Sequence, residues 1–291
     1  MTLHSYSGKA RAFRTLHESS GCFLMPNAWD AGSARMLSAA GFLALGTTSA
    51  GIAYALGRPD GCGRVSREEM MDAVHLIAGA VSIPVSADLE SGLADDAQGV
   101  ATTIRLARDA GVVGANIEDA TGDSSKPFLY DLPEAADRIR AAVEAGGPDF
   151  TLTARSDACM LGGSEALSEA VQRCAAYFEA GASCVFVPGL RGAGDIARLV
   201  RESPGPVSVV MGLSGSPMTQ TELRHLGVRR VSTGGSLARA ALGMVQRAAI
   251  KMMTEGSFDY AAGQIPDAEL CQLFASSDDQ VRHRIAVHHH L

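Results

Sequence analysis

The residues of this chain best suited to chemistry are carboxylates. Asp88 and Glu90 stand two apart in Ala87-Asp88-Leu89-Glu90, so in an extended strand both side chains leave the same face. Glu118 closes a second apolar run, 114–118, and could complete the set. Carboxylates gathered on neighbouring strands suit a hard cation such as Mg²⁺ or Mn²⁺, which takes oxygen ligands. Helix caps and surface ion pairs use the same residue types, and spacing alone leaves that plainer reading open. Arg155 is the second signal: it follows Thr151-Leu152-Thr153-Ala154 and precedes Ser156-Asp157. A guanidinium there can hold a substrate carboxylate through two parallel hydrogen bonds, or can form a structural bridge to Asp119 or Asp157. Acids, a divalent ion and one inward arginine together point to a small anionic substrate, such as a 2-oxo acid that chelates the metal.

These side chains need a scaffold to bring them together. Short β-branched or apolar runs at 23–28, 43–48, 83–89, 114–118, 151–156, 184–189, 206–211 and 229–233 alternate with longer stretches of helical period, among them 66–79, 94–110, 163–180 and 236–254. Gly41, Gly111, Gly181 and Gly227 each stand between a helix and the next strand, where a left-handed residue closes the helix. Ser66 and Glu69 have the spacing of a capping box. Strand and helix repeated eight times predict a parallel sheet with right-handed crossovers. An open dinucleotide-binding sheet would place a glycine-rich turn after the first strand, where Pro26-Asn27-Ala28-Trp29-Asp30 stands instead. The expectation is an α/β fold in one domain, residues 1–291, whose (β/α)8 TIM barrel spans about residues 21–254. A leading helix falls within residues 1–20. A C-terminal helical extension, 255–291, carries a helix at 267–275 that packs on its own barrel or on a partner.

In such a barrel the chemistry sits at the carboxyl ends of the strands. Those ends carry acids and hydroxyls but neither histidine nor lysine. A zinc hydrolase with His ligands is excluded. So is a Schiff-base aldolase, because Lys9, Lys126 and Lys251 all fall outside the strands, and a Ser-His-Asp hydrolase, which also lacks its GxSxG elbow. A net charge of −7 and a pI near 5.6 argue against a nucleic-acid partner. No window reaches the roughly 18 apolar residues of a membrane span, and the first residues lack the apolar core of a signal peptide; a cytoplasmic location is expected. The six cysteines form no CxxC pair and are expected to be reduced, with Cys174 and Cys184 packing in the core. His288-His289-His290 reads as a terminal tail rather than a metal site.

Five segments occur in order: Pro26-Asn27-Ala28-Trp29-Asp30, Gly46-Thr47-Thr48-Ser49 with Gly57-Arg58-Pro59-Asp60, Pro84-Val85-Ser86-Ala87-Asp88, Asn116-Ile117-Glu118-Asp119 and Thr153-Ala154-Arg155-Ser156-Asp157. Over roughly residues 10–255 the chain thereby resembles the isocitrate lyase/phosphoenolpyruvate mutase superfamily, and its Gly227–Ser232 run is similar to the mutase-like branch. The resemblance implies Mg²⁺ (or Mn²⁺) at the barrel mouth and a substrate that passes through an enolpyruvate-like species. It makes Asp88 the direct metal ligand, Glu118 a ligand through water, and Glu90 the candidate substitute for an acid missing from the family's DAD motif, here Ser86-Ala87-Asp88. Thr48, Ser49 and the Ala50 backbone would hold the substrate carboxylate and carbonyl. Asp60 would be the acidic residue near the site, Arg155 the carboxylate anchor, and Ser208 a seventh-strand residue where relatives often carry asparagine. The family also implies a dimer of dimers with an exchanged C-terminal helix.

Departures from the family narrow the reaction. The gating stretch 120–132 holds no cysteine, and Lys126 is its only cation, which argues against isocitrate and methylisocitrate lyase chemistry. Val187-Pro188-Gly189 stands where the family has a sixth-strand histidine or glutamate. Segment 119–131 reads as a mobile lid that excludes water. The leading expectation is C–C cleavage of a small 2-oxo or 2-hydroxy di-acid, by decarboxylation of an oxaloacetate-like substrate or by a lyase step. The alternatives are P–C chemistry, as in a phosphonomutase or phosphonopyruvate hydrolase, and a 2-oxo-acid-binding protein with little turnover.

Overall fold

A computed structural model describes residues 5–61, 63–213 and 217–276. Each apolar run becomes a strand: β1 Phe23–Met25, β2 Asn27–Ala28, β3 Leu45–Thr47, β4 Val85–Asp88, β5 Gly114–Glu118, β6 Thr151–Arg155, β7 Cys184–Phe186, β8 Val207–Val210 and β9 Arg230–Ser232. All pair in parallel, in the order β1-β9-β8-β7-β6-β5-β4-β3-β2. The single strand expected at 23–28 is split by Pro26, which has no N–H to give the ladder. Its first half pairs with β9 and its second with β3, so one run joins both edges and closes the sheet into a TIM barrel.

The helices follow from local signals. Gly41, Gly111, Gly181 and Gly227 take φ of +93°, +99°, +99° and +86°, a region costly for residues with a Cβ. Ser66 and Glu69 form the expected capping box on the helix Arg67–Gly79. The stretch expected at 163–180 forms the helix Ala166–Glu179, and a short helix that was not expected, Ala158–Leu161, precedes it.

Alternation along the strands sorts the side chains. Ala87, Ile117, Leu152, Ala154 and Val185 are buried in the main apolar cluster with the helices. The opposite parity puts polar groups inside the barrel: Arg230 donates to the hydroxyls of Thr153 and Ser208 there, while Asp88, Glu118 and Arg155 end their strands. Cys174 and Cys184 are fully buried, as expected of packing cysteines. The helix Tyr6–Glu18 sends Phe13 and His17 into the other end of the barrel.

The helix Asp267–Ala275 packs on its own chain: Arg35, in the helix Ala31–Ala39, donates to the carbonyls of Leu273, at 2.8 Å, and Ser276. The long helix Ser236–Glu255 leaves Leu242, Val245, Ile250 and Met253 exposed. Among the described residues no helix is long and apolar enough to cross a membrane. Cys62 and the run His288-His289-His290 lie outside the described residues.

Candidate active site

Asp88 closes β4 and is held from three sides. Its Oδ2 accepts hydrogen bonds from the Ser49 backbone N–H (2.9 Å) and the Ser49 hydroxyl (3.0 Å), and its Oδ1 accepts from the Asn116 amide (2.7 Å). The Asp88 N–H donates to the Thr47 hydroxyl at 2.9 Å. Ser49 opens the helix Ser49–Ala55, so the carboxylate faces first-turn N–H groups and the positive end of that helix. Ala50 follows in the same turn, where its N–H has no acceptor within the helix.

Glu90 departs from the expectation that it shares a strand face with Asp88. The strand ends at Asp88, and Glu90 sits in a turn with φ of +51°, so period-two reasoning does not reach it. That backbone is rare for a non-glycine residue and strained. Neighbours hold it in place: the Glu118 N–H donates to the Glu90 carbonyl at 2.9 Å. Arg138, 1% exposed, donates to the carbonyls of Ser91 (2.7 Å), Ala94 (2.7 Å) and Asp95 (3.1 Å). Burial, then the charges of Asp88 and Asp60, push the Glu90 carboxyl up to about 7.

Glu118 and Arg155 end adjacent strands in register and meet at 2.7 Å. Arg155 Nε and Nη2 both donate to Asp157 Oδ1, at 2.9 and 2.8 Å. Burial works against the guanidinium's charge, but Glu118, Asp157 and Asp88 outweigh it and hold Arg155 protonated. Burial pushes Glu118 and Asp157 upward, and Arg155 pulls both back. Asp157 Oδ2 is buried without a partner among the described residues, leaving an acceptor beside Arg155. The expected bridge from Arg155 to Asp157 therefore forms, but Asp119 has other partners. Its Oδ1 accepts from the Asp157 N–H (2.7 Å) and its Oδ2 from Tyr177 (2.6 Å) and Arg173 (3.3 Å). Asp60 approaches Ser49 at 3.4 Å, and burial, then Asp88, raise its pKa.

Asp88, Glu90 and Glu118 do not form a cage of three direct ligands: among the described residues no three Asp, Glu, His or Cys side chains converge to hold an ion. Glu118 is drawn to Arg155, and Glu90 lies in its turn. The donor set still fits a hard cation on the Asp88 side, with the other acids acting through water. Asp60, Glu90 and Glu118 are raised by burial and by one another's neighbours, and a divalent charge would offset that crowding.

Three further residues of the expected site have structural partners. The Thr48 hydroxyl, in a residue 1% exposed, caps the helix Ser49–Ala55 by accepting from the Gly51 N–H at 3.3 Å. Ser208 lies below the strand ends and is fully buried; its Oγ accepts from Arg230 Nε at 2.9 Å. Lys126 pairs with Asp123 at 3.8 Å within its own loop, both about half exposed. That loop closes on itself through the Ala120–Leu129 bridge and the Thr121 N–H to Phe128 carbonyl bond, 2.9 Å.

Asn116, Arg173, Tyr177 and Arg138 escaped the sequence reading. Asn116 had a signal, because it lies two residues before Glu118 on one strand face. Arg173 and Tyr177 lie four apart on the buried face of Ala166–Glu179, but nothing local identifies Asp119 as their partner.

The family model for phosphoenolpyruvate phosphomutase matches residues 13–253. A putative lyase/mutase from Burkholderia cenocepacia J2315 superposes with a TM-score of 0.88 at 45% identity, covering 93% of this chain and 97% of that one. A phosphonopyruvate hydrolase, solved as a complex with oxalate and Mg²⁺, superposes at 0.82 with 27% identity over 96% of this chain and 98% of its own. The 2,3-dimethylmalate lyase of Eubacterium barkeri is 31% identical over 227 residues, 75% of this chain and 77% of that enzyme. With its strand-end acids, its single anchored arginine and a match spanning the whole barrel, this chain belongs to the phosphoenolpyruvate phosphomutase family, within the superfamily shared with isocitrate lyase.

Proposed function

We propose that the chain is a Mg²⁺-dependent enzyme that cleaves a C–C bond in a small 2-oxo or 2-hydroxy di-acid, as a decarboxylase or lyase. The observation that carries this reading is Arg155, fixed between Glu118, which ends the adjacent strand β5, and Asp157, two residues on. Three of its five N–H donors are engaged by these two acids, and the others are left to take a substrate carboxylate. The Ala50 N–H would meet the carbonyl end, and the Ser49 hydroxyl, which donates to Asp88 at 3.0 Å, would have to turn from that acid to join it. When bound beside Asp88, with Glu90 and Glu118 behind water, a divalent ion supplies positive charge where the enolate oxygen develops.

The loop 120–129, tied at its base, shields the site from water. In the decarboxylation of an oxaloacetate-like di-acid, the electron pair of the breaking C–C bond moves into the adjacent carbonyl system as CO₂ departs. The resulting enolate of pyruvate then takes a proton from water, so the missing lid thiol is no obstacle. The 2,3-dimethylmalate lyase relative lends weight to C–C chemistry. The likeness to a phosphonopyruvate hydrolase favours P–C cleavage as the second reading; Lys126, held by Asp123, leaves the loop little free positive charge for a phosphonate.

The experiment is a panel of oxaloacetate, 2-methylmalate-type acids, phosphonopyruvate and phosphoenolpyruvate with Mg²⁺ or Mn²⁺, with and without chelator. Chelator-sensitive pyruvate release from the first two supports the proposal. Phosphate release or phosphonate interconversion moves the assignment to P–C chemistry, and binding without turnover removes the enzyme reading. We further propose that the chain forms a homo-oligomer, a dimer of dimers, through the exposed apolar face of Ser236–Glu255. Its mass in solution by light scattering is the check: four chains per particle are expected, and a monomer contradicts it.

A further inference from the structure

The amino end of the barrel holds positive charge that the active site does not use. Arg230 is 3% exposed; its Nε donates to Ser208 at 2.9 Å and its Nη1 to Thr153 at 3.0 Å and toward His17 Nε2 at 3.2 Å. His17 Nδ1 donates to the Phe13 carbonyl at 2.9 Å, so Nε2 is the acceptor for Arg230 and the ring is neutral. Burial, then the charge of Arg230, lower the His17 pKa to about 3. No described acid pairs with Arg230, and a buried guanidinium without a counter-charge is costly.

Arg229, the preceding residue, donates through Nη1 to the carbonyls of Ser19 and, at 2.7 Å, Gly21. Its Nε is buried without a partner among the described residues. Arg229 and His17 line a cavity of about 640 Å³ at the amino ends of the strands, together with Arg14, Glu18, Thr151 and Ser183. Glu18 is the one acid in that lining, and Arg14 shares its charge with Asp149 at 3.2 Å. The volume is that of a small-molecule site, its wall is cationic, and arginine forks match oxyanions.

We propose that this cavity binds a small oxyanion of the phosphate class, held by Arg229 and Arg14 over the neutral His17 and stabilised by the buried charge of Arg230. This site is distinct from the barrel mouth and independent of the reaction catalysed there. The test is calorimetric titration of the full chain with inorganic phosphate, a small phosphomonoester and chloride, at fixed ionic strength. Saturable binding of one phosphate is expected, weakened about tenfold or more in Arg229→Gln and in Arg14→Gln and unchanged in Arg155→Gln. Tighter binding of the phosphomonoester identifies an organic phosphate as the ligand, and equal or weaker binding identifies the free ion; both support the site. Arg230→Met is expected to abolish binding, and the partly exposed Arg229 and Arg14 keep the test decisive if that variant does not fold. The proposal is overturned by absence of saturable binding, by chloride acting equally, by unchanged affinity in Arg229→Gln, or by loss of binding in Arg155→Gln.

Discussion

The two ends of this barrel face opposite electrostatic problems. At the carboxyl end Asp60, Asp88, Glu90, Glu118 and Asp157 gather around one cation, Arg155. At the amino end Arg229 and Arg230 gather around a neutral imidazole, and hydroxyls rather than acids receive the buried guanidinium. Burying charge is costly unless it is paired and hydrogen-bonded, and each end lacks part of its compensation. In the proposed function, the surplus of acids at the mouth would be offset by a hard cation, with Arg155 as the anchor for an anion. The surplus of arginines at the floor favours an anion and has no group suited to bond making. One cylinder of alternating side chains thus separates an acid-rich end from an arginine-rich end.

Substitutions can break this contrast, and the largest effect belongs at the mouth. Asp88→Asn is expected to lower kcat/KM on the accepted substrate about a thousandfold in saturating Mg²⁺, because the cation loses its charged ligand; steady-state kinetics check it. Arg155→Lys keeps the charge but loses the fork, and should cost about a hundredfold, expressed mainly in KM if the arginine anchors the substrate. At the junction of lid and strand, Asp119→Asn leaves Arg173 without its buried acid and should remove about 3 kcal/mol of stability in urea unfolding.

At the floor the expected effect depends on pH. The folded chain keeps His17 neutral down to about pH 3, whereas an unfolded histidine protonates near its ordinary value of about 6.5. The unfolded state therefore binds the extra proton between those values, and stability falls as pH falls below the unfolded value. About 2 kcal/mol should be lost from this group between pH 7 and pH 5, and His17→Asn should flatten that slope. Ser208→Ala is the smallest change: about 1 kcal/mol of stability with kcat unaltered. Loss of turnover with folding intact would return Ser208 to the substrate site.

Much of the fold was legible because its signals are local. Four glycines after helices, the Ser66 capping box and eight apolar runs are written within a few residues of where they act, and all appear in the structure. Pro26 shows where local reading fell short: it removes one ladder bond, but only the closed sheet reveals that the two halves face different neighbours. The site was legible to the level of strand ends. Asp88, Glu118 and Arg155 stand where periodicity and the family resemblance put them. Glu90 does not, because the strand stops two residues earlier than alternation assumed. Thr48 and Ser208 carry structural bonds that the residue types alone did not disclose: Thr48 caps its own helix through Gly51, three residues on, whereas the partner of Ser208 is Arg230 on another strand, set by tertiary structure.

Pyruvate release from oxaloacetate in Mg²⁺, compared between the native chain and Asp88→Asn after subtraction of spontaneous decay, tests the acid-lined mouth most directly. C–C cleavage at that site predicts pyruvate from the native chain, abolished by chelator and reduced about a thousandfold in the variant. Equal rates from both proteins, or no turnover of any 2-oxo or 2-hydroxy di-acid by the native chain, would contradict it.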